Sequence, residues 1–280
     1  MRKTLYVSDL DGTLMQPGAY LSETTLDLLN RSIAEGKLFT VATARTPATV
    51  SDIIRNVDMT LPSIVMTGAA VWDSRSNHYS DLKYFNEEAV RKLVDAYHEM
   101  SFPIYLFTLE NEIINIYHIG GKLNDIERQF MEERLHSPFK HFHIPADESE
   151  QLPEKFDKTI LFYGMQPTEH AERTFRRTTL IDGARPQFYH DFYGPEIGIV
   201  EAFAPEATKA NAVLRMKERT GADRVVVFGD NINDIPMMKV ADVAVAVENA
   251  LPEVKEIADI VIGPNTENSV AKFIYEDQEG

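Results

Sequence analysis

The sequence predicts a protein of the α/β class in which a parallel sheet is interrupted by an inserted α+β segment. Three observations lead to this prediction. Short apolar runs alternate with amphipathic helical patterns near both ends of the chain, hairpin patterns occupy its middle, and 280 residues suffice for about two domains.

The first 81 residues alternate between strand and helix patterns. A buried strand is predicted at Thr4–Ser8, followed by a helix that Ser22 caps and Gly36 ends. Strands at Leu38–Ala42 and Ser63–Met66 enclose a second helix, which opens at Thr46-Pro47. This order predicts a parallel sheet with right-handed crossovers.

The middle of the chain breaks this alternation. Its patterns mix helices with paired strands, which is typical of an α+β module. Strands are expected at 103–109, 112–119, 159–164, 185–189 and 198–203. The parallel pattern resumes with a helix from Thr208 and strands at 225–229, 243–247 and 260–262. We therefore expect one α/β domain formed by residues 1–81 and 201–280, with residues 82–200 inserted into it.

Charge and composition exclude several classes of function. The chain has 28 basic and 44 acidic residues, and its net charge of −16 repels nucleic acids and anionic membranes. It has no cysteine, which excludes disulfides, thiolate zinc sites and cysteine nucleophiles. No apolar stretch approaches the roughly 18 residues of a membrane span. These features predict a cytoplasmic protein with no nucleic-acid or membrane partner, and they leave its oligomeric state open.

Two carboxylates follow the first predicted strand. Asp9 and Asp11 lie two residues apart, and Gly12 permits a sharp turn that exposes both side chains. Ligands of open α/β sheets bind at the carboxyl ends of the strands, and concentrated negative charge there favours Mg²⁺. An ordinary acidic turn is an equally good interpretation of this segment taken alone.

A second acidic group follows the apolar strand at 225–229. Asp230 and Asp234 would lie one turn apart if a helix begins there, and they could share a hard cation with the first group. Helix capping would explain one of these aspartates but not both. Lys209, at the predicted start of a helix, is slightly disfavoured by the helix dipole, which suggests a nearby anion. Thr43, at the end of the second strand, could hold phosphate oxygens together with backbone N–H groups.

In this order, these segments resemble the haloacid dehalogenase (HAD) superfamily, and within it the Cof-type phosphatases of class IIB. The resemblance covers nearly the whole chain and rests on Asp9–Leu14, Thr43–Arg45, Thr208-Lys209 and Gly229–Asp234. It implies a Rossmann-like catalytic core and an inserted cap domain that selects the substrate. One departure bears on specificity: Thr67 stands where the family commonly has an asparagine.

The resemblance also implies a mechanism. Asp9 would attack phosphorus and form an aspartyl-phosphate, while Asp11 would first protonate the leaving alcohol and then activate water. Mg²⁺ would be held by Asp9, the backbone carbonyl of Asp11 and Asp230.

The remaining residues of the four segments take supporting roles in the resemblance. Thr43 and Lys209 would bind the phosphoryl oxygens. Asn233 and Asp234 would orient a metal-bound water and the lysine.

The sequence thus predicts a Mg²⁺-dependent phosphatase that hydrolyses a small phosphorylated metabolite, such as a sugar phosphate. A phosphotransferase or phosphomutase of the same superfamily is the second interpretation, because it would pass through the same intermediate. A non-catalytic ligand sensor is the third, and it would have no reason to keep a nucleophile together with an acid.

Overall fold

The computed structural model describes residues 3–191 and 194–278. The chain divides into two compact units, one formed by the residues up to Asp81 together with those from Ala207 onward, the other spanning Leu82–Glu206. The second boundary lies six residues later than the expected 200/201, because the whole strand that ends at Phe203, as predicted, belongs to the inserted unit. Within the described ranges, no helix is long and apolar enough to cross a membrane.

Strands and helices are numbered along the chain. The strands are β1 (Thr4–Ser8), β2 (Leu38–Val41), β3 (Ser63–Val65), β4 (Ala70–Asp73), β5 (His78–Ser80), β6 (Ile104–Glu110), β7 (Ile113–Ile119), β8 (Lys140–His143), β9 (Thr159–Pro167), β10 (Arg185–Asp191), β11 (Gly194–Phe203), β12 (Arg224–Gly229), β13 (Val243–Val247) and β14 (Ile260–Ile262). The helices are α1 (Glu23–Ala34), α2 (Pro47–Ile54), α3 (Glu87–Glu99), α4 (Asp125–Glu132), α5 (Thr168–Thr178), α6 (Lys209–Thr220), α7 (Ile235–Met238), α8 (Pro252–Ile257) and α9 (Ser269–Glu276).

The first unit is built on a five-stranded parallel sheet with the order β14-β13-β12-β1-β2. Its central strands β1 and β12 are buried along their whole length, which agrees with their apolar sequences. They run in register, with Ser8 opposite Phe228, so the residues that follow them meet at one edge of the sheet. The predicted α/β class is confirmed.

The strand predicted at Ser63–Met66 differs from expectation. β3 pairs antiparallel with β4 in a separate sheet of the order β3-β4-β5, and a single parallel bridge between Ala42 and Ile64 links it to the end of β2. Periodicity cannot reveal this, because an apolar run of three or four residues suits either kind of pairing.

The second unit is a six-stranded sheet with the order β10-β11-β9-β6-β7-β8, antiparallel except for the last pair. Helices pack on both faces of it. Tyr97 of α3 lies against Phe162 on one face, with ring centroids 5.4 Å apart, and Phe130 of α4 lies 5.2 Å from Tyr163 on the other. Aromatic burial of this kind holds the unit together.

A buried glutamate fixes the start of α4. Glu127 is fully buried; its carboxylate accepts hydrogen bonds from the Asn124 backbone N–H at 3.0 Å and from the Gln166 amide at 2.9 Å. Burial raises the pKa of Glu127 to about 7, and the hydrogen bonds oppose this only in part. The folded state therefore binds this proton more tightly than the unfolded chain does.

We expect the Glu127 contribution to the free energy of unfolding to fall as pH rises from about 4.5 to about 7, because the folded state must then lose the proton that it favours. Between pH 5 and pH 8, the free energy of unfolding of the wild type should fall by about 2 to 3 kcal/mol more than that of Glu127→Gln. Urea unfolding followed by circular dichroism at both pH values measures this difference. The exposed Glu132, on the same helix, supplies the control variant Glu132→Gln. An equal change in the free energy of unfolding of wild type and Glu127→Gln between the two pH values would contradict the raised pKa of Glu127.

Candidate active site

Asp9 lies at the carboxyl edge of the central strands. Its backbone N–H donates to the carbonyl of Phe228 at 3.0 Å, which continues the β1–β12 pairing by one residue and places its side chain beside the end of β12. Only 6% of Asp9 is exposed. The first aspartate of the predicted motif is thus held rigidly and largely shielded from solvent.

The loop after Asp9 passes directly against Asp230. Gly12 has a φ of +73°, and a Cβ placed there would lie 2.3 Å from Asp230 Oδ2. Thr13 donates its hydroxyl to Asp230 Oδ1 at 2.7 Å. Asn249, from a distant part of the chain, also binds this loop: its Nδ2 donates to the Gly12 carbonyl at 2.7 Å. Gly12 is therefore required both by backbone conformation and by space.

Lys209 joins the two acidic segments. It is the first residue of α6, after Thr208, whose hydroxyl caps the helix. Its Nζ donates to Asp9 Oδ1 at 2.5 Å and to Asp234 Oδ1 at 2.8 Å, and the Lys209 side chain is 1% exposed. Lys209, which the resemblance predicts to bind phosphoryl oxygens, is thus a buried ammonium shared by two carboxylates.

Asp234 closes the loop that follows β12. Its Oδ2 accepts the backbone N–H groups of Asp230 at 3.1 Å and Asn231 at 3.2 Å, while Oδ1 accepts from Lys209. Both oxygens are therefore engaged by the protein itself. Asn233, expected beside it, is exposed, and no hydrogen bond among the described residues brings its side chain into this network.

The electrostatics of this cluster are unusual. One carboxylate oxygen from each of Asp9, Asp230 and Asp234 lies within 4.8 Å of the other two. Burial raises the pKa of Asp9 well above its ordinary value, although Lys209 opposes the shift, and burial raises the pKa of Asp230 to about 6. Burial alone would lower the pKa of Lys209, but Asp234 and Asp9 raise it above its ordinary value. Three clustered carboxylates beside a single ammonium suit an additional cation.

Asp11 lies apart from this cluster. Its side chain is 54% exposed and forms a two-point ion pair with Arg45, whose Nε donates to Oδ2 at 2.8 Å and whose Nη2 donates to Oδ1 at 2.6 Å. The sequence indicated Arg45 only as part of a segment, and its pairing with Asp11 was missed. A fork-shaped pair of this kind fixes the orientation of the carboxylate.

Thr43 is buried at the end of β2. Its hydroxyl accepts the backbone N–H of Arg45 at 3.1 Å. The next loop, Met66–Gly68, is tied to the same segment, because Thr67 N–H donates to the Thr43 carbonyl and Met66 N–H to the Arg45 carbonyl, both at 3.0 Å. The segments around Asp9, Thr43, Lys209 and Asp230 thus belong to one unit and converge on its sheet edge.

Comparison with known proteins supports this arrangement. The protein-family model of the haloacid dehalogenase-like hydrolases matches residues 6–274 of this chain. A 5-amino-6-(5-phospho-D-ribitylamino)uracil phosphatase of Bacillus subtilis is 24% identical, covering 97% of this chain and 96% of its own. A pyridoxal phosphate phosphatase of Escherichia coli is 25% identical, covering 95% and 96%.

Solved structures share the fold across the whole chain. A protein of Thermotoga maritima superposes with a TM-score of 0.75 at 20% identity, covering 99% of this chain and 98% of its own. A sugar phosphatase of HAD subclass IIB gives a TM-score of 0.68 at 20% identity, covering 96% of both chains. Family match, relatives and fold agree with the four segments: the chain belongs to the haloacid dehalogenase-like hydrolases, as a Cof-type class IIB enzyme that hydrolyses phosphoric monoesters.

Proposed function

We propose that this enzyme is a Mg²⁺-dependent phosphatase of a small phosphorylated metabolite, acting through an aspartyl-phosphate on Asp9. The observation that carries the proposal is the buried Lys209, which bridges Asp9 and Asp234 beside Asp230. An ammonium held between carboxylates at the end of a parallel sheet is suited to hold a phosphoryl group against a carboxylate nucleophile.

The free oxygens of the cluster favour a particular metal-binding set. Lys209 donates to Oδ1 of Asp9, and Thr13 donates to Oδ1 of Asp230. Among the described residues, no hydrogen bond reaches the Oδ2 atom of either aspartate. Both oxygens of Asp234 are engaged. Asp9 and Asp230, with the backbone carbonyl of Asp11, would therefore hold Mg²⁺, and Asp234 would orient Lys209. Bound there, Mg²⁺ would reduce the repulsion between a carboxylate and a phosphate dianion.

The chain's own residues account for each proton and bond. An oxygen of Asp9 attacks phosphorus and the ester P–O bond breaks. Asp11, having given up one of its two hydrogen bonds from Arg45 and taken up a proton from solvent, passes that proton to the leaving oxygen. Asp11, now ionised, takes a proton from water as that water attacks the phosphorus of the aspartyl-phosphate. Inorganic phosphate leaves and Asp9 is regenerated. Lys209 and Thr43 bind phosphoryl oxygens through both steps, and Arg45 orients Asp11.

The class of substrate is supported by charge and by the relatives. A net charge of −16 disfavours nucleic acids. The related phosphatases are named for a phosphoribityl uracil, for pyridoxal phosphate and for sugar phosphates, all of them small phosphomonoesters. We extend this class of substrate to the present enzyme. We also assign residues 82–206 the role of a cap that selects the leaving group. The location that we propose for the enzyme is the cytoplasm.

The test is phosphate release from a panel of sugar phosphates, pyridoxal phosphate and nucleotides. We expect release with Mg²⁺, loss of release with a chelator, and recovery when Mg²⁺ is restored, because the acidic cluster repels substrate without a cation. Phosphate released should equal substrate consumed. Consumption without release would favour a phosphotransferase or phosphomutase, and binding of panel compounds without turnover would favour a sensor.

A further inference from the structure

The loop after β3 has a strained backbone. Met66 and Thr67 have φ angles of +50° and +56°, and Gly68 follows at +88°. Glycine and asparagine adopt this left-handed region readily, whereas a β-branched residue such as threonine rarely does. Strain of this kind persists where the surroundings impose it and is concentrated at functional sites.

The surroundings of Thr67 are the segments already assigned to phosphoryl binding. Its backbone N–H donates to the Thr43 carbonyl at 3.0 Å. On the other side, a Cβ on Gly68 would lie 2.3 Å from the Thr208 carbonyl and 3.0 Å from the Lys209 nitrogen. Thr67 is therefore tied to Thr43 through its backbone, and the glycine that follows it packs against the start of α6.

The Thr67 hydroxyl is available to a ligand. Among the described residues it makes no hydrogen bond. Thr67 retains 6% exposure. The described threonine hydroxyls that are fully enclosed without a partner belong to Thr4, Thr159 and Thr174, not to Thr67.

We infer that the Thr67 hydroxyl donates a hydrogen bond to a phosphoryl oxygen of the substrate, an inference that rests on the proposed function. An asparagine or a glycine would relieve the strain, so a hydroxyl-bearing residue in this conformation is accounted for by the group that it presents, which a serine would also supply. The hydroxyl would add an uncharged donor to the segments that bind the phosphoryl group. Its position against both phosphoryl-binding segments selects the phosphoryl group over the leaving group.

The test compares Thr67→Val, Thr67→Ser and Thr67→Asn with the wild type in the presence of Mg²⁺. Thr67→Val keeps the shape but loses the donor, so we expect inorganic phosphate to bind roughly tenfold more weakly and kcat/KM to fall by roughly tenfold to a hundredfold. Thr67→Ser should retain most of the binding. Thr67→Asn should raise the melting temperature by about 2 °C, because asparagine adopts the left-handed backbone with less strain. Thr60→Val, at an exposed threonine, is the control.

Three outcomes would overturn the inference. Unchanged phosphate binding and kcat/KM in Thr67→Val would make the strain purely structural. A loss of kcat/KM with unchanged phosphate binding would assign the hydroxyl to the leaving group. A loss in Thr67→Ser equal to that in Thr67→Val would assign the effect to packing. If the wild type releases phosphate from no compound yet binds phosphate through Thr67, the proposed function fails and the inference stands.

Discussion

Asp9→Asn is expected to lower phosphate release by about 10⁴-fold or more. The carboxylate supplies the attacking oxygen in the proposed mechanism, and a neutral amide is a far poorer nucleophile. The fold should survive, because asparagine has the same shape and Lys209 keeps its bond to Asp234. Burial already disfavours the charge on Asp9, so its removal should cost little stability.

The measurement is phosphate release with Mg²⁺, together with a thermal melt and mass spectrometry of enzyme quenched during turnover. The wild type should carry one added phosphoryl group on a peptide containing Asp9, and the variant should carry none. Asp27→Asn is the matched control, since Asp27 is 64% exposed on α1. A folded Asp9→Asn protein with activity within tenfold of the wild type would show that another group attacks phosphorus.

The parts of this enzyme that the sequence predicts are those that depend on local pattern and topology. Apolar runs at Thr4–Ser8 and 225–229 predicted central strands, and parallel strands place their carboxyl ends at one edge. That rule brings Asp9 and Asp230 together without any knowledge of side-chain positions. Lys209 was indicated by the unfavourable placement of a cation at a helix N-terminus, and its contacts with Asp9 and Asp234 account for that placement.

What the sequence left open depends on contacts between distant side chains. The pairing of Asp11 with Arg45 joins residues 34 apart, and the bond from Asn249 to the Gly12 carbonyl joins residues 237 apart. No periodicity encodes such pairs. The left-handed backbone at Thr67 was also hidden, because propensity predicts glycine or asparagine in that conformation. The switch of β3 into a separate antiparallel sheet likewise depends on β4 and β5, whose runs of four and three residues carry little pattern.

Lys209→Met is expected to lower both activity and stability. Activity should fall because the ammonium that we propose as the ligand of the phosphoryl oxygens is gone. Stability should fall by about 3 to 5 kcal/mol, because the buried carboxylates of Asp9 and Asp234 lose the cation that compensates them. For a unit of this size, that corresponds to a melting temperature lower by roughly 10 °C. Lys217→Met is the matched control on the same helix, since its ion pair with Asp242 is partly exposed and contributes at most about 1 kcal/mol.

A second substitution separates lost attraction from remaining repulsion. In Lys209→Met/Asp234→Asn one of the uncompensated charges is removed, so part of the lost stability should return while activity stays low. Mg²⁺ should raise the melting temperature of Lys209→Met more than that of Lys217→Met, because only Lys209→Met leaves the cluster of Asp9, Asp230 and Asp234 without an ammonium. Equal melting temperatures for Lys209→Met and Lys217→Met would contradict this account. They would mean that the carboxylates relax into solvent or take up protons, and that Lys209 does not hold the site together.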